Sequence, residues 1–313
     1  MSIMRPDGLL GLELRHLVAL EAIATEGSFG RAAQRLGYTQ SAISQQIAAL
    51  ERIVGQRLIA RPGGPRPVTL TEAGVLLLNH TEGIMARLQA ANADLEALAA
   101  GDAGPLRIGT YQSVGARILP SLLQTFAAEW PKMDIQLVES TDDLELLKLV
   151  ECGEADVTFC VFPLEPGPFE AVELMRDPYV LVVQAHSPLA TREKPPTLRE
   201  ILELPLISYR SCRTTQRVEE RLRLVGGEPK VVFRSDDNGT VQALVAAGVG
   251  VALAPRLTVD AADESIAVID LGERVPPRLI GIAWHADRQV TTAARAFVEA
   301  AQSVCRSKEL AAA

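Results

Sequence analysis

In the first hundred residues apolar positions recur at helical spacing. From Pro105 onward they come in short β-like runs alternating with helical stretches. The segment SFGRAAQRL starts on Ser28, whose hydroxyl can take up an orphan amide at a helix start. Its Ala32 and Ala33 permit close approach of a neighbouring helix. Gly37 breaks that pattern, and Thr39 can cap the next helix, QSAISQQIAALERIVG. There Ile43, Ile47, Leu50 and Val54 are spaced 4, 3 and 4 and define one buried stripe. The pattern over 12–58 predicts helix, turn, helix.

The face opposite that stripe presents Gln40, Ser41, Ser44, Gln45 and Ala48. Short hydroxyls and amides can approach base edges in a major groove and hydrogen-bond to them. A solvated polar helix presents the same residue types, so this face alone leaves both readings open. The loop ARPGGPRPVTLT that follows reads as a β-hairpin wing. Gly63 and Gly64 allow a tight reversal, and three prolines stiffen it. Arg61 and Arg66 flank the tip, within reach of phosphates or of a narrow minor groove.

Residues 71–100 form one uninterrupted helical pattern. Leu77, Ile84, Leu88, Ala91, Leu95 and Leu98 fall on one seam with spacings 7, 4, 3, 4 and 3, and Thr81 fills the missing turn. This heptad-like register favours pairing of two helices from two chains. The alternative is that the seam packs on its own domain.

Charge sharpens the division. Residues 1–66 carry eight arginines against five acids, an excess of three, whereas the whole chain of 313 residues is at −8. An acidic body repels polyanions, and a small arginine-bearing head can approach them. The longest apolar stretch, Ala243–Ala254, is too short to span a membrane. The opening MSIMRPDGLLGLELRHL has no basic region followed by an apolar core, so a cytoplasmic protein with reduced thiols is expected. The four cysteines contain no C-x-x-C pair and the four histidines are scattered, so spacing yields no metal site and no cofactor is expected. There is no phosphate-binding loop and no G-x-S-x-G, and Gly248 and Gly250 lack a third glycine at dinucleotide spacing. Their absence weakens the case for an enzyme without excluding one.

The string LELRHLVALEAIATEGSFGRAAQRLGYTQSAISQQIAALERIVGQRLIARPGGPRPVTLTEAG closely resembles the LysR-type transcriptional regulators. Its TQSAISQQIAALE core and final LTEAG are the most specific features, and the Pro-rich wing departs from the family's shorter loop. A weaker resemblance continues through PLRIGT (105–110), ILPSLLQTFAAEWP, DIQLVES, ADVTFCV (155–161) and VQALVAAGVGVALAP (241–255). It implies an N-terminal winged helix-turn-helix of 1–70, a linker dimerisation helix of 71–101, and an α/β effector domain of 104–313. That domain would comprise two subdomains similar to periplasmic binding proteins, one of about 105–161 plus 268–305 and the other of about 162–267. The implied function is sequence-specific binding to promoter DNA at an interrupted dyad, modulated by a small molecule in the cleft. Homodimers or homotetramers and a contact with RNA polymerase belong to the same expectation.

On this pattern Gln40, Ser41, Ser44 and Gln45 would enter the major groove, while Arg31, Arg61 and Arg66 hold the backbone. Leu77, Ile84, Leu88, Leu95 and Leu98 would pair the linkers. Three helix starts, at Tyr111-Gln112-Ser113, Ser140-Thr141 and Asn238-Gly239-Thr240, offer backbone amides to an effector. Gln112, Ser113, Thr141, Phe162, Ser211, Cys212 and Asn238 are the expected contacts, with capping or packing the alternative at each. Arg117, Arg210 and Arg213 favour a small acid. Cys212 lies near the reactive cysteine of the family's peroxide-sensing branch, but 214–230 contain no resolving cysteine. A redox-responsive regulator is therefore the second reading, and an enzyme or solute-binding domain fused to a DNA-binding head the third.

Overall fold

The computed structural model describes residues 11–60, 67–100, 104–210 and 213–312. They form two compact units that divide between Gln89 and Ala90. The first unit contains α1 (Leu14–Glu26), α2 (Phe29–Leu36), α3 (Gln40–Val54), the strands β1 (Ile59–Ala60) and β2 (Thr69–Leu70), and most of α4 (Glu72–Ala100). Ser28 caps α2 by accepting from the Arg31 amide at 3.5 Å, and Thr39 caps α3 by accepting from Ala42 at 3.2 Å. Gly37 ends α2 at φ 69°, a left-handed conformation that glycine adopts without strain. Ile43, Ile47 and Leu50 are fully buried against Leu17, Leu20 and Ile23 of α1. Burying each such side chain contributes about 1.5–3 kcal/mol.

The wing has a firm base. Ile59 pairs with Leu70 and Ala60 with Thr69, antiparallel. The Glu51 carboxylate, at the end of α3, accepts from the amides of Leu58 and Ile59 at 2.9 and 3.2 Å. A Cβ on Gly74 would lie 2.2 Å from the Leu58 carbonyl oxygen, so only glycine lets α4 start this close to β1. Arg61 and Arg66 lie outside the described residues.

The second unit holds two five-stranded sheets. Sheet one runs in the order β4 (Ile135–Glu139), β3 (Leu106–Thr110), β5 (Val157–Phe162), β12 (Arg278–His285), β6 (Phe169–Asp177). Sheet two runs β11 (Ile266–Asp270), β7 (Tyr179–Gln184), β10 (Val251–Pro255), β8 (Pro205–Ser208), β9 (Lys230–Arg234). Helices α5 (Gln112–Arg117), α6 (Leu119–Glu129), α7 (Asp143–Cys152) and α11 (Thr292–Ala312) accompany sheet one. Helices α8 (Leu198–Leu202), α9 (Arg213–Leu224) and α10 (Asn238–Ala246) accompany sheet two. Phe297 of α11 packs edge-on to Phe126 and Phe159, with centroids 5.4 and 6.5 Å apart. The last turns of α4 belong to this unit: the αL cap of α7, Gly153, faces Ala90 and Ala93 so closely that a Cβ would lie 2.9 Å from that of Ala93.

The subdomain limits expected from sequence need correction. The chain leaves sheet one at Pro178, not after Val161, and returns through 271–277 rather than at 268. The reason is strand pairing at long range. β6 pairs antiparallel with β12 from Phe169–His285 to Asp177–Arg278, which keeps 169–177 in sheet one. β11 pairs with β7, which keeps 266–270 in sheet two.

Candidate functional site

Two sites emerge, one in each unit. On α3 the side chains of Gln40, Ser41 and Gln45 are exposed and Ser44 is half-buried, all on the face opposite the buried stripe. Tyr38, 52% exposed in the turn before this helix, extends the polar surface, and sequence reasoning passed over it. Ser41 is already tied to Thr39, oxygen to oxygen at 3.0 Å. Arg31 is exposed but occupied, since its guanidinium donates to the Glu26 carbonyl and lies 3.7 Å from the Glu26 carboxylate. Such an exposed pair is weak and can exchange for a phosphate.

On α4, Leu77 packs into the core of the first unit and Thr81 is fully buried, its hydroxyl donating to the Leu77 carbonyl. Ile84 and Leu88 are each 41% exposed and Leu95 is 66% exposed. The seam therefore starts against its own domain and continues as an uncovered apolar stripe. The side chain of Leu98 lies outside the described residues.

In the second unit a cleft opens between the sheets. Parallel strands deliver their carboxyl ends to it: β3 leads into α5, β8 towards α9 and β9 into α10. Gln112, Ser113, Thr141 and Asn238, all anticipated, line it together with Asp143 and Arg213. The tyrosines Tyr111 and Tyr209, with Asp236, Thr258 and Arg278, complete the polar lining. Ser211 and Cys212 lie outside the described residues. Phe162 lines a different cavity, behind Arg278.

Two of the three helix starts are not open amides. Asp142 caps α7 by accepting from Leu144 at 2.9 Å, and Asp237 caps α10 by accepting from Thr240 at 2.6 Å. The signal was in the sequence: STDD and SDDN each put aspartate at the cap. The Asn238 amide donates to Gln112 Oε1, and Gln112 Nε2 donates to Asp237, both at 2.9 Å. These hydrogen bonds tie α5 to α10 across the cleft and hold the Asp237 carboxyl below the usual range, the Gln112 bond first and Thr240 next. A second strap joins Arg213 of α9 to Asp143 of α7, with Nε 3.1 Å from Oδ2, and the same guanidinium reaches Glu165. A third runs from Arg117 to Asp260 at 3.1 Å.

Arg117, Arg210 and Arg213 are all engaged. Arg210 donates to the Arg234 carbonyl, while Arg117 and Arg213 face carboxylates. At the back of the cleft Arg278, 7% exposed, donates from Nε to Asp177 at 2.7 Å and from Nη2 to Ser113 Oγ at 2.6 Å. It also stacks over the Tyr111 ring at 5.4 Å. The only sequence hint of this residue was an arginine opening the apolar run RLIGIAW. Tyr111 is buried and lines the cleft, yet its hydroxyl has no hydrogen-bond partner among the described residues. Burial pushes its pKa well above that of an ordinary phenol, so it stays neutral and able to donate or accept.

Neither Cys152 nor Cys160 offers a reactive thiolate. Cys152, Cys160 and Cys305 are buried. Burial pushes Cys160 up to about 12, and burial with Glu154 and Glu151 nearby raises Cys152. Among the described residues no His, Cys, Asp and Glu cluster could hold a metal, and no helix is long and apolar enough to cross a membrane.

Against known families, residues 14–75 match the bacterial regulatory helix-turn-helix protein of the lysR family, and residues 99–306 match the LysR substrate binding domain. The chain belongs to the LysR family of transcriptional regulators. It is similar to the regulator IlvR of Caulobacter vibrioides, with 31% identity over 292 residues covering 90% of this chain and 95% of that protein. The uncharacterized HTH-type regulator YnfL of Escherichia coli is 30% identical over 292 residues, 92% of this chain and 97% of YnfL. Full-length CbnR, solved in complex with its target DNA, matches 94% of this chain and 100% of its own at 25% identity and TM-score 0.62. The LysR-family chain is thus a DNA-binding transcriptional regulator with an effector-binding domain.

Proposed function

We propose that this regulator reads an interrupted dyad in promoter DNA, in the cytoplasm, with Gln40, Ser44 and Gln45 at base edges and Ser41 beside them. Arg31, Arg61 and Arg66 contact the backbone. Two chains pair through Ile84, Leu88, Leu95 and Leu98 of the linker, with Leu77 at its root, as a dimer or within a tetramer able to contact RNA polymerase. A small molecule in the cleft, touching Gln112, Ser113, Thr141, Asn238 and the segment of Ser211 and Cys212, alters how the heads are presented. It acts through unequal affinity for two arrangements of the assembly. The chain has no catalytic role in this reading.

The observation that carries the effector reading is the partnerless, buried Tyr111 hydroxyl in a cleft closed by side-chain straps. Because the cleft arginines already face carboxylates, a neutral or zwitterionic polar molecule suits this site better than a simple acid.

The test is promoter binding measured across salt concentrations against random DNA of equal length. A specific regulator keeps a large preference for its promoter while both affinities fall with salt. Gln45→Ala should flatten the base preference by about 1–3 kcal/mol at one position and leave random-DNA binding unchanged. Equal affinity for promoter and random DNA at moderate salt would refute the reading.

A further inference from the structure

Behind Arg278 lies the second cavity. Its walls are the two places where the chain crosses between sheets. Tyr179 follows the first crossover at Pro178, and Val275 to Arg278 end the second. Phe162, Val275 and Pro277 give it an apolar floor, and helix α9 forms the remaining side. From α9 two arginines one turn apart, Arg217 and Arg221, reach the rim.

The charge here is unlike that of the effector cleft. Arg217 has no carboxylate or other hydrogen-bond partner among the described residues, and Arg221 donates only from Nε, to the Arg274 carbonyl at 2.8 Å. Glu220 is the one acidic residue lining this cavity. Arg278, buried and fixed by Asp177, closes the inner end. Apolar floor, buried guanidinium and two unneutralised guanidinium groups at the mouth define a complement for one chemical class. The geometry points to a second ligand site here, taking a compact carboxylate with an apolar branched or aromatic body.

The apolar body replaces water over Phe162 and Val275, and the carboxylate faces Arg217 and Arg221, a charge-assisted geometry that an alcohol of the same shape cannot reproduce. Because the site touches both crossovers, an occupant restrains the joint about which the two sheets would turn. It does so without entering the effector cleft, and Arg278, which lines both cavities, connects the two.

The experiment is calorimetric titration of the full chain with phenylacetate and with 3-methylbutanoate, up to about 10 mM. Acetate supplies the charge without the body, and 2-phenylethanol the body without the charge. Hydrogen exchange of the same samples locates the site. Saturable binding of at least one apolar carboxylate is expected, with acetate and 2-phenylethanol at least about tenfold weaker. Exchange should slow at 217–224 and 275–279. Arg217→Gln and Arg221→Gln, both at exposed positions, should each weaken binding about tenfold, and Thr141→Trp, which fills the effector cleft, should leave it intact. Binding abolished by Thr141→Trp and unmoved by the arginine variants would put the ligand in the effector cleft and overturn the proposal. So would equal binding of 2-phenylethanol, or no saturable heat from either carboxylate. Exchange at these segments that slows with protein concentration alone would assign the cavity to a second copy of the chain, and would overturn it too.

Discussion

Arg278 shows how one side chain can join fold and site. It is 7% exposed, and its partner Asp177 is buried to 1%. Asp177 also accepts from the Leu257 amide at 3.0 Å, so the pair pins a loop of the second subdomain to the end of β6. Removing one member of a buried pair leaves an uncompensated charge, whereas replacing both can be nearly neutral. Arg278→Met should therefore cost about 3–5 kcal/mol in urea unfolding of the full chain, and adding Asp177→Leu should recover most of it. A double variant no more stable than the single one would mean that the Leu257–Asp177 bond, or the contacts of Arg278 with Tyr111 and Ser113, outweighs the pair itself. The Glu219 carboxylate of α9 is a quieter case. Burial works to raise its pKa, but hydrogen bonds from Arg234 and Ser208 outweigh it and hold the group below the usual range. Its charge persists beneath the helix that carries both Arg213 and Arg217.

Elements were legible where their determinants are local. Ser28 and Thr39 cap within three residues of themselves, and the stripe of Ile43, Ile47 and Leu50 repeats within one helix. The crossover was not legible, because nothing near 162 or 178 records that β6 will pair with a strand a hundred residues later. Cross-cleft straps share that limit: Gln112 and Asp237 are 125 residues apart. The caps at Asp142 and Asp237 are local and readable, but they sit beside Thr141 and Asn238, polar residues equally suited to touch a ligand. Helix α4 adds a test at this scale. Its seam is buried at Thr81 and uncovered at Ile84, Leu88 and Leu95, which suits a partner helix. Leu88→Asp puts a charge in that seam and should lower the solution mass by half at working concentration. Helicity should hold, since the position is already exposed. An unchanged mass by light scattering, with unchanged DNA footprint spacing, would remove α4 from the interface.

For the second unit as a whole, the straps set how easily the cleft opens. Each is exposed or only partly buried, and such pairs contribute at most about 1 kcal/mol apiece. A ligand present at about 100 times its Kd contributes roughly 2.7 kcal/mol. An effector preferring the open or the closed form can therefore override them, as a ligand-responsive cleft requires. Acid offers a way to weaken one strap without a ligand. Asp237 has a folded pKa below its ordinary value, so its hydrogen bonds with Gln112 and Thr240 are fully present above the ordinary aspartate range and fade only as pH falls through the lower, folded value. Spin labels on Lys148 of α7 and Gln216 of α9, both exposed, would report the spacing of the two subdomains. The distance distribution should hold from neutral pH down to about pH 4, the ordinary aspartate value, and broaden towards longer distances only below it. In Gln112→Ala the broad distribution should already be present at neutral pH. Opening complete by about pH 5 in the unmodified chain would show that a less protected group holds the cleft, and that the Gln112–Asp237 strap is not what keeps it shut.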